Sequence, residues 1–278
     1  MRRVVFPPTF GGWRAAARPL LEAGIPPADL LFEAASDEQP ALHGLGDGAV
    51  PAAPPGEAAR AAFRVPRRFF ELAEAAACHA DGERWGLLYR VLWRLTHGEP
   101  HLLEVAVDPE VHRLLRMEKA VRREVHKMHA FVRFRAVAAD DGEHYVAWFE
   151  PAHPVVERAA PFFAERFASM RWSILTPLGC AHWDGASLAI TPALPRAAAP
   201  GADELEPLWR TYYASTFNPA RVRTNAMRAE MPMRYWRNLP EAAQIGELVR
   251  GAPARVRRMV ENAGLPPELA RPPRRSAD

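Results

Sequence analysis

The segment from Asp108 to Glu150 constrains the fold more than any other part of the chain. Asp108-Pro109 reads as a helix start. A carboxylate there can accept from first-turn N–H groups, and proline at the first helical position lacks only an N–H that would be unpaired anyway. Leu114, Met117, Val121, Val125 and Met128 then recur at three- and four-residue spacing and form a buried stripe. From Phe131 to Val137 the period changes to two, with Val132, Phe134 and Ala136 on one side and Arg133 and Arg135 on the other. Asp140-Asp141-Gly142 reads as a turn, and His144 to Glu150 alternates again as the returning strand. The hairpin register sets Arg135 near Val146 and Arg133 near Trp148, because cross-strand partners share a face.

The flanking sequence extends this core. Pro154 opens a helix whose buried side is expected to carry Val155, Ala159, Phe162, Phe163 and Phe167. Trp172 to Thr176 reads as a strand, and Cys180 to Ile190 folds back on itself at Asp184-Gly185. Upstream, Val4 to Phe6 and Asp29 to Phe32 read as strands on either side of a helix from Trp13 to Ala23. Helices follow from Pro66 to Ala77 and from Gly82 to Leu95, the second with Trp85, Leu88, Tyr89, Leu92 and Trp93 on one face. Residues 36–57, rich in Gly, Pro and Asp, are expected to be a mobile loop. From Asp203 the chain reads as helical, with Leu205, Leu208, Trp209 and Tyr212 marking one helix and a frayed tail from Pro266. The expected fold is α+β: a mainly antiparallel sheet flanked by helices, with a helix inserted after its second strand and a helical C-terminal section. The expected organisation is one domain over residues 1–264, helical from about 203, and a Pro/Arg-rich tail over 265–278.

A chain of 278 residues with 49% apolar residues can bury a core without disulfides or metals. Its two cysteines, Cys78 and Cys180, exclude a disulfide scaffold and any cluster of three thiolates, the radical-SAM motif included. No signal-peptide pattern follows Met1-Arg2-Arg3, and no run reaches the roughly 18 apolar residues of a membrane span. A cytoplasmic protein without a membrane partner is expected. No Walker A loop, GxGxxG turn, GxSxG elbow or HExxH helix occurs, which weighs against an ATPase, a Rossmann oxidoreductase and the common hydrolases.

Charge divides unevenly along the chain. Residues 22–110 are acidic, whereas residues 111–135 hold eight Lys or Arg against Glu118 and Glu124. That asymmetry suits a polyanion, although 34 of the 36 basic residues are Arg in an Ala- and Pro-rich chain, as base composition alone can produce. Arg116, Lys119, Arg123 and Lys127 follow helical spacing on a face of their own; such a stripe is most often simply solvated. Beside it, an Arg next to Trp148 on a sheet face can stack on a base and contact a phosphate, or can be a packed cation–π pair. Trp209 to Pro240 also interleaves aromatic and basic residues, among them Arg221, Arg223 and Trp236. His126 and His129 stand one turn apart, but a metal site there would need Cys180 and His182 as well, and neither metal nor cofactor is expected. Glu150, His153 and Glu157 bracket the turn at Pro151 and could serve acid–base chemistry, or could be the acids and solvated histidine of an ordinary helix start.

Several longer runs carry a family likeness. They include Leu88-Tyr89-Arg90-Val91-Leu92-Trp93-Arg94-Leu95, the stretch His126 to Arg135 and Tyr145-Val146-Ala147-Trp148-Phe149-Glu150-Pro151. Met170 to Pro177, Ala181-His182-Trp183-Asp184-Gly185, Phe217 to Arg221 and Tyr235 to Pro240 continue it. Over roughly residues 2–264 the chain resembles a bacterial DNA-metabolism protein family. Members of that family accompany a radical-SAM protein assigned to DNA repair, and some are fused ahead of a uracil-DNA glycosylase-type domain. The resemblance implies DNA and the radical-SAM protein as partners and supplies no catalytic residue. Any base excision is expected to come from another polypeptide. Where the family commonly has Arg after His-Lys-Met, this chain has His129.

Together these readings lead to a DNA-repair accessory protein that binds DNA and presents it to a partner enzyme. Arg116, Lys119, Arg123 and Lys127 would contact phosphates, Arg133, Arg135 and Trp148 would act from the sheet face, and Arg221, Arg223 and Trp236 would add a second contact. Two alternatives stand beside it. One is a nucleic-acid-processing enzyme using Glu150, His153 and His182; the other is a module that docks the radical-SAM partner without touching DNA.

Overall fold

The computed structural model describes residues 1–35, 63–139, 142–199, 214 and 217–262. The loop over 36–57, the helix bearing Leu205, Leu208, Trp209 and Tyr212, and the tail from Pro266 lie outside the described residues. The chain divides into two compact units: Met1–His126 with Ala152–Val155, and Lys127–Pro151 with Val156–Asp278.

In the first unit, β1 (Arg2–Phe6) and β2 (Leu30–Ala34) pair in parallel through the crossover helix α1 (Phe10–Glu22). Thr9 caps α1, its hydroxyl accepting from Gly12 N at 3.0 Å. A Cβ at Gly12 would lie 2.4 Å from the Pro7 carbonyl oxygen, so the turn into α1 excludes any side chain there. α2 (Arg67–Ala77), α3 (Arg84–Thr96) and most of α4 (Pro109–Phe131) complete the unit. Trp13, Phe69, Trp85, Leu88, Tyr89 and Leu114 are buried in one apolar core. Two of the core's polar groups are paired with distant carbonyls: Trp13 Nε1 donates to the Trp85 carbonyl at 3.2 Å and the Tyr89 hydroxyl to the Ile25 carbonyl at 2.8 Å. Burial pushes the Tyr89 phenol up to about 12.

The start of α4 follows its sequence signal. Asp108 Oδ1 accepts from Glu110 N at 3.0 Å and Val111 N at 3.1 Å, and the carboxylate also meets Arg94 at 2.8 Å. Leu114, Met117, Val121 and Met128 are buried as their spacing predicts. One turn of the stripe differs: Glu124 is buried and Val125 only half-buried, because the Glu124 carboxylate accepts from Ala152 N at 2.8 Å.

The second unit is built on one five-stranded sheet in the order β3 (Phe134–Ala139), β4 (Gly142–Trp148), β5 (Trp172–Leu175), β6 (Cys180–Trp183) and β7 (Leu188–Thr191). Only β4 and β5 run parallel, across the intervening helix α5 (Val156–Arg166). The β6–β7 turn uses Gly185 at φ +100°, and Asp184 Oδ1 accepts from Ala186 N and Ser187 N, both at 2.7 Å. α6 (Thr224–Glu230), α7 (Met233–Trp236) and α8 (Ala242–Asn262) form the helical C-terminal part. The fold is thus α+β with a mostly antiparallel sheet, and among the described residues no helix is long and apolar enough to cross a membrane.

One boundary shifts. α4 runs on to Phe131 and β3 begins at Phe134, because the last helical turn finds aromatic partners: Phe131 stacks on Tyr235 at 5.5 Å and His129 on Phe162 at 4.1 Å between ring centroids. Phe162, expected in the core, is accordingly exposed. One sheet face is closed by α5, where Phe134 and Trp172 meet Phe163 with ring centroids 6.1 Å away in each case. The other face carries the polar residues.

Candidate nucleic-acid interface

Strand alternation selects that face. Arg135 stands opposite Val146, Val146 opposite Ser173, and Ser173 opposite His182, so all four project to the same side. A hydrogen-bonded row crosses the strands there. His144 Nε2 lies 2.8 Å from Ser173 Oγ, Ser173 Oγ lies 2.7 Å from His182 Nδ1, and His182 Nε2 lies 2.8 Å from Thr191 Oγ1. Burial, and after it the neighbouring His144, hold His182 below the ordinary histidine value, so its ring is neutral at pH 7. Above the row opens a cavity of about 470 Å³ with Val137, Val146, Leu175, Ala198 and Ala199 as apolar walls and His144 and Ser173 as polar lining.

Trp148 adjoins this cavity, packed with Leu175 and Cys180 against Val146 and Ala199. The Arg196 guanidinium lies over the Trp148 ring, 5.5 Å from its centroid. Trp148 Nε1 donates to Glu150 Oε1 at 2.9 Å, and Glu150 also pairs with Arg237. Arg133, Arg135, Trp148, Arg196 and Asn238 line a crevice of about 10 Å³, room for a single water. Arg133 is anchored from below: its Nη2 lies 2.9 Å from Glu241 Oε1, and its Nη1 donates to the Ala130 carbonyl at 2.8 Å.

The other residues singled out from the sequence are placed as follows. Arg116, Lys119 and Arg123 are exposed along α4 in the first unit. Lys127 is buried in the second unit, its ammonium 2.9 Å from Glu230 Oε2 and also donating to the Glu230 carbonyl. Arg221 and Arg223 are exposed beside the 3-10 turn Pro219–Arg221, while Trp236 is half-buried and donates to the Met231 carbonyl at 3.0 Å. Of the acid–base candidates, Glu150 serves Trp148 and Arg237, and His182 joins His144 and Ser173. His153 belongs to the first unit, where its ring centroid lies 4.2 Å from that of His79, tilted by 31°, and its Nδ1 accepts from Ala80 N at 3.2 Å. Burial and then the His153 charge hold His79 below the ordinary value. His126 is exposed, and among the described residues no group of three or more His, Cys, Asp or Glu is arranged to hold a metal ion.

Sequence reasoning missed His144, Ser173, Thr191 and Arg196. The first two had a signal: alternation places His144 on the face of Arg135, and Ser173 interrupts an otherwise apolar strand. Arg196 opens a single 3-10 turn after the last strand, too short for any period to indicate a face.

Residues 82–241 match the model of a family described as a domain of unknown function, DUF4130. The chain belongs to that family. The matched span of this DUF4130 chain contains α3, α4, the whole five-stranded sheet and the Arg133–Glu241 pair, so both the cavity and the crevice lie inside it. No curated protein and no solved structure matches the chain.

Proposed function

We propose that this DUF4130 chain is an accessory protein of DNA metabolism that binds DNA through the open face of its sheet and works with a radical-SAM enzyme of DNA repair. The observation that carries the DNA-binding part is the meeting of Arg133, Arg135 and Arg196 with Trp148 at one crevice. Guanidinium groups suit phosphate oxygens, and Trp148, buried beneath Arg196, is the packed platform that holds that guanidinium at the face rather than a stacking surface for a base. The exposed Arg116, Lys119 and Arg123, and Arg221 and Arg223, support the same reading as further sequence-independent charge. The radical-SAM partnership rests on the family likeness of the runs around Trp93, Met128, Trp148, Trp183 and Trp236.

The test is a titration of the purified chain against labelled single- and double-stranded DNA at several salt concentrations. Tight binding that weakens steeply with salt is expected. Absence of binding at low salt would remove the DNA reading and leave a module that docks the partner protein, to be followed by co-purification with the radical-SAM enzyme.

A further inference from the structure

We propose that the cavity over Ser173 receives one unstacked nucleobase of bound DNA, with Ser173 Oγ accepting a hydrogen bond from an N–H of that base; this deepens the DNA-binding reading and rests on it. The hydrogen-bond inventory of the row sets the chemistry. A serine hydroxyl has one donor and two acceptor sites. Ser173 is engaged by both His144 Nε2 and His182 Nδ1. Where the row runs head to tail, Ser173 donates to one of the two imidazoles and accepts from the other; were both rings to donate to it, its own O–H would be left over instead. In the head-to-tail row, which the proposal takes, a second acceptor site remains on Ser173 Oγ, and Ser173 lines the cavity. That lining offers an acceptor, to which the ligand brings a donor.

The rest of the cavity fits the faces of a heterocycle. Its volume of about 470 Å³ lies in the range of small-molecule pockets, about 300–1,000 Å³, and Val137, Val146, Leu175 and Ala199 give it apolar walls. Charge is placed for the remainder of a nucleotide. Val146, which lines the cavity, is the cross-strand partner of Arg135, and Leu175, another lining residue, packs on Trp148 under Arg196. A base seated over Ser173 thus leaves its phosphates beside guanidinium groups on the same face.

Two measurements test the proposal. The first compares binding of deoxyadenosine 5′-monophosphate with its analogue lacking the 6-amino group, by calorimetry, to the native chain and to Ser173→Ala. The native chain should prefer the amino-bearing nucleotide by about five- to tenfold, the worth of one hydrogen bond, and Ser173→Ala should bind both alike. Equal binding by the native chain would overturn the role of Ser173. The second follows 2-aminopurine fluorescence in a single-stranded oligonucleotide, using Ala198→Phe to fill the cavity from its exposed rim, with folding checked by circular dichroism. Emission should rise as the base unstacks on the native chain. The rise should be lost in Ala198→Phe while salt-dependent binding persists. DNA binding without a rise, or a full rise in folded Ala198→Phe, would overturn the base pocket and leave the DNA reading standing. Nucleotide discrimination without DNA binding at any salt would keep the pocket and remove the DNA reading, and binding of neither would remove both.

Discussion

Arg133 and Glu241 form an ion pair at 2.9 Å in which the side chains keep only 19% and 5% of their exposure, and it ties the residue before β3 to the residue before α8. The Oε1 of that carboxylate accepts from both Nε and Nη2 of the guanidinium, while its Oε2 is buried without a hydrogen bond among the described residues, so the guanidinium charge is what offsets its burial. The pair gives Arg133 a structural duty, whatever else its charge does.

Replacing Arg133 by Ala leaves the Glu241 charge buried without its partner. Destabilisation of about 3–5 kcal/mol is expected, and Arg133→Ala with Glu241→Gln should recover part of it. Urea denaturation of the native chain and the two variants measures this. An unchanged midpoint in the single variant would show that the pair contributes nothing to stability.

For the same reason, charge removal aimed at DNA belongs on Arg135 and Arg196. The double change to Gln should weaken DNA binding and reduce the slope of log K against log salt by about 0.7–0.9 for each phosphate that is no longer neutralised. Fluorescence anisotropy across a salt series reads both quantities. A folded double variant with native affinity and slope would take the sheet face out of the DNA interface.

His182 makes stability depend on pH in a direction that can be worked out. Its folded value lies below the ordinary 6.5, so below that pH the unfolded chain binds the proton more readily than the folded one. Its stabilising contribution is complete above about pH 6.5 and is lost as the pH falls towards the folded value; His79 acts in the same sense. The Tm should therefore drop between pH 7 and pH 5, and His182→Gln should flatten part of that drop. A Tm profile in the variant that parallels the native one would assign the dependence to other groups.

Asp108 has two separable roles, capping α4 and meeting Arg94, whose hydrogen bond holds the Asp108 carboxyl below its ordinary range. Asp108→Ala should cost about 1–2 kcal/mol through the lost cap, whereas Asp108→Asn keeps the cap acceptor and should cost less. Equal losses in thermal unfolding would assign the effect to the ion pair instead.

The cap shows where residue patterns suffice. Asp108-Pro109, the stripe through Leu114, Met117 and Val121, the alternation around Arg135 and Val146, and the Asp184-Gly185 turn are local or near-local signals. Each specified its element, and the hairpin register followed from alternation. The same logic failed at Glu124, whose inward position answers to Ala152 N, and at Phe131, whose helical turn is held by Tyr235.

Partners distant in sequence decided the site. Lys127 and Arg133 carry the same charge as Arg116 and Arg123, yet each is drawn into an ion pair by an acid 103 and 108 residues further on. Ser173 acquires its two imidazoles only when β4, β5 and β6 are laid side by side, and Arg196 reaches Trp148 only through the packing of the segment after β7. A periodic pattern reports which way a side chain points, because that is set by the backbone of its own element. Which group it meets depends on long-range closure of the chain, and for these residues that meeting separates a surface charge from a structural pair and a lone strand serine from the lining of a cavity.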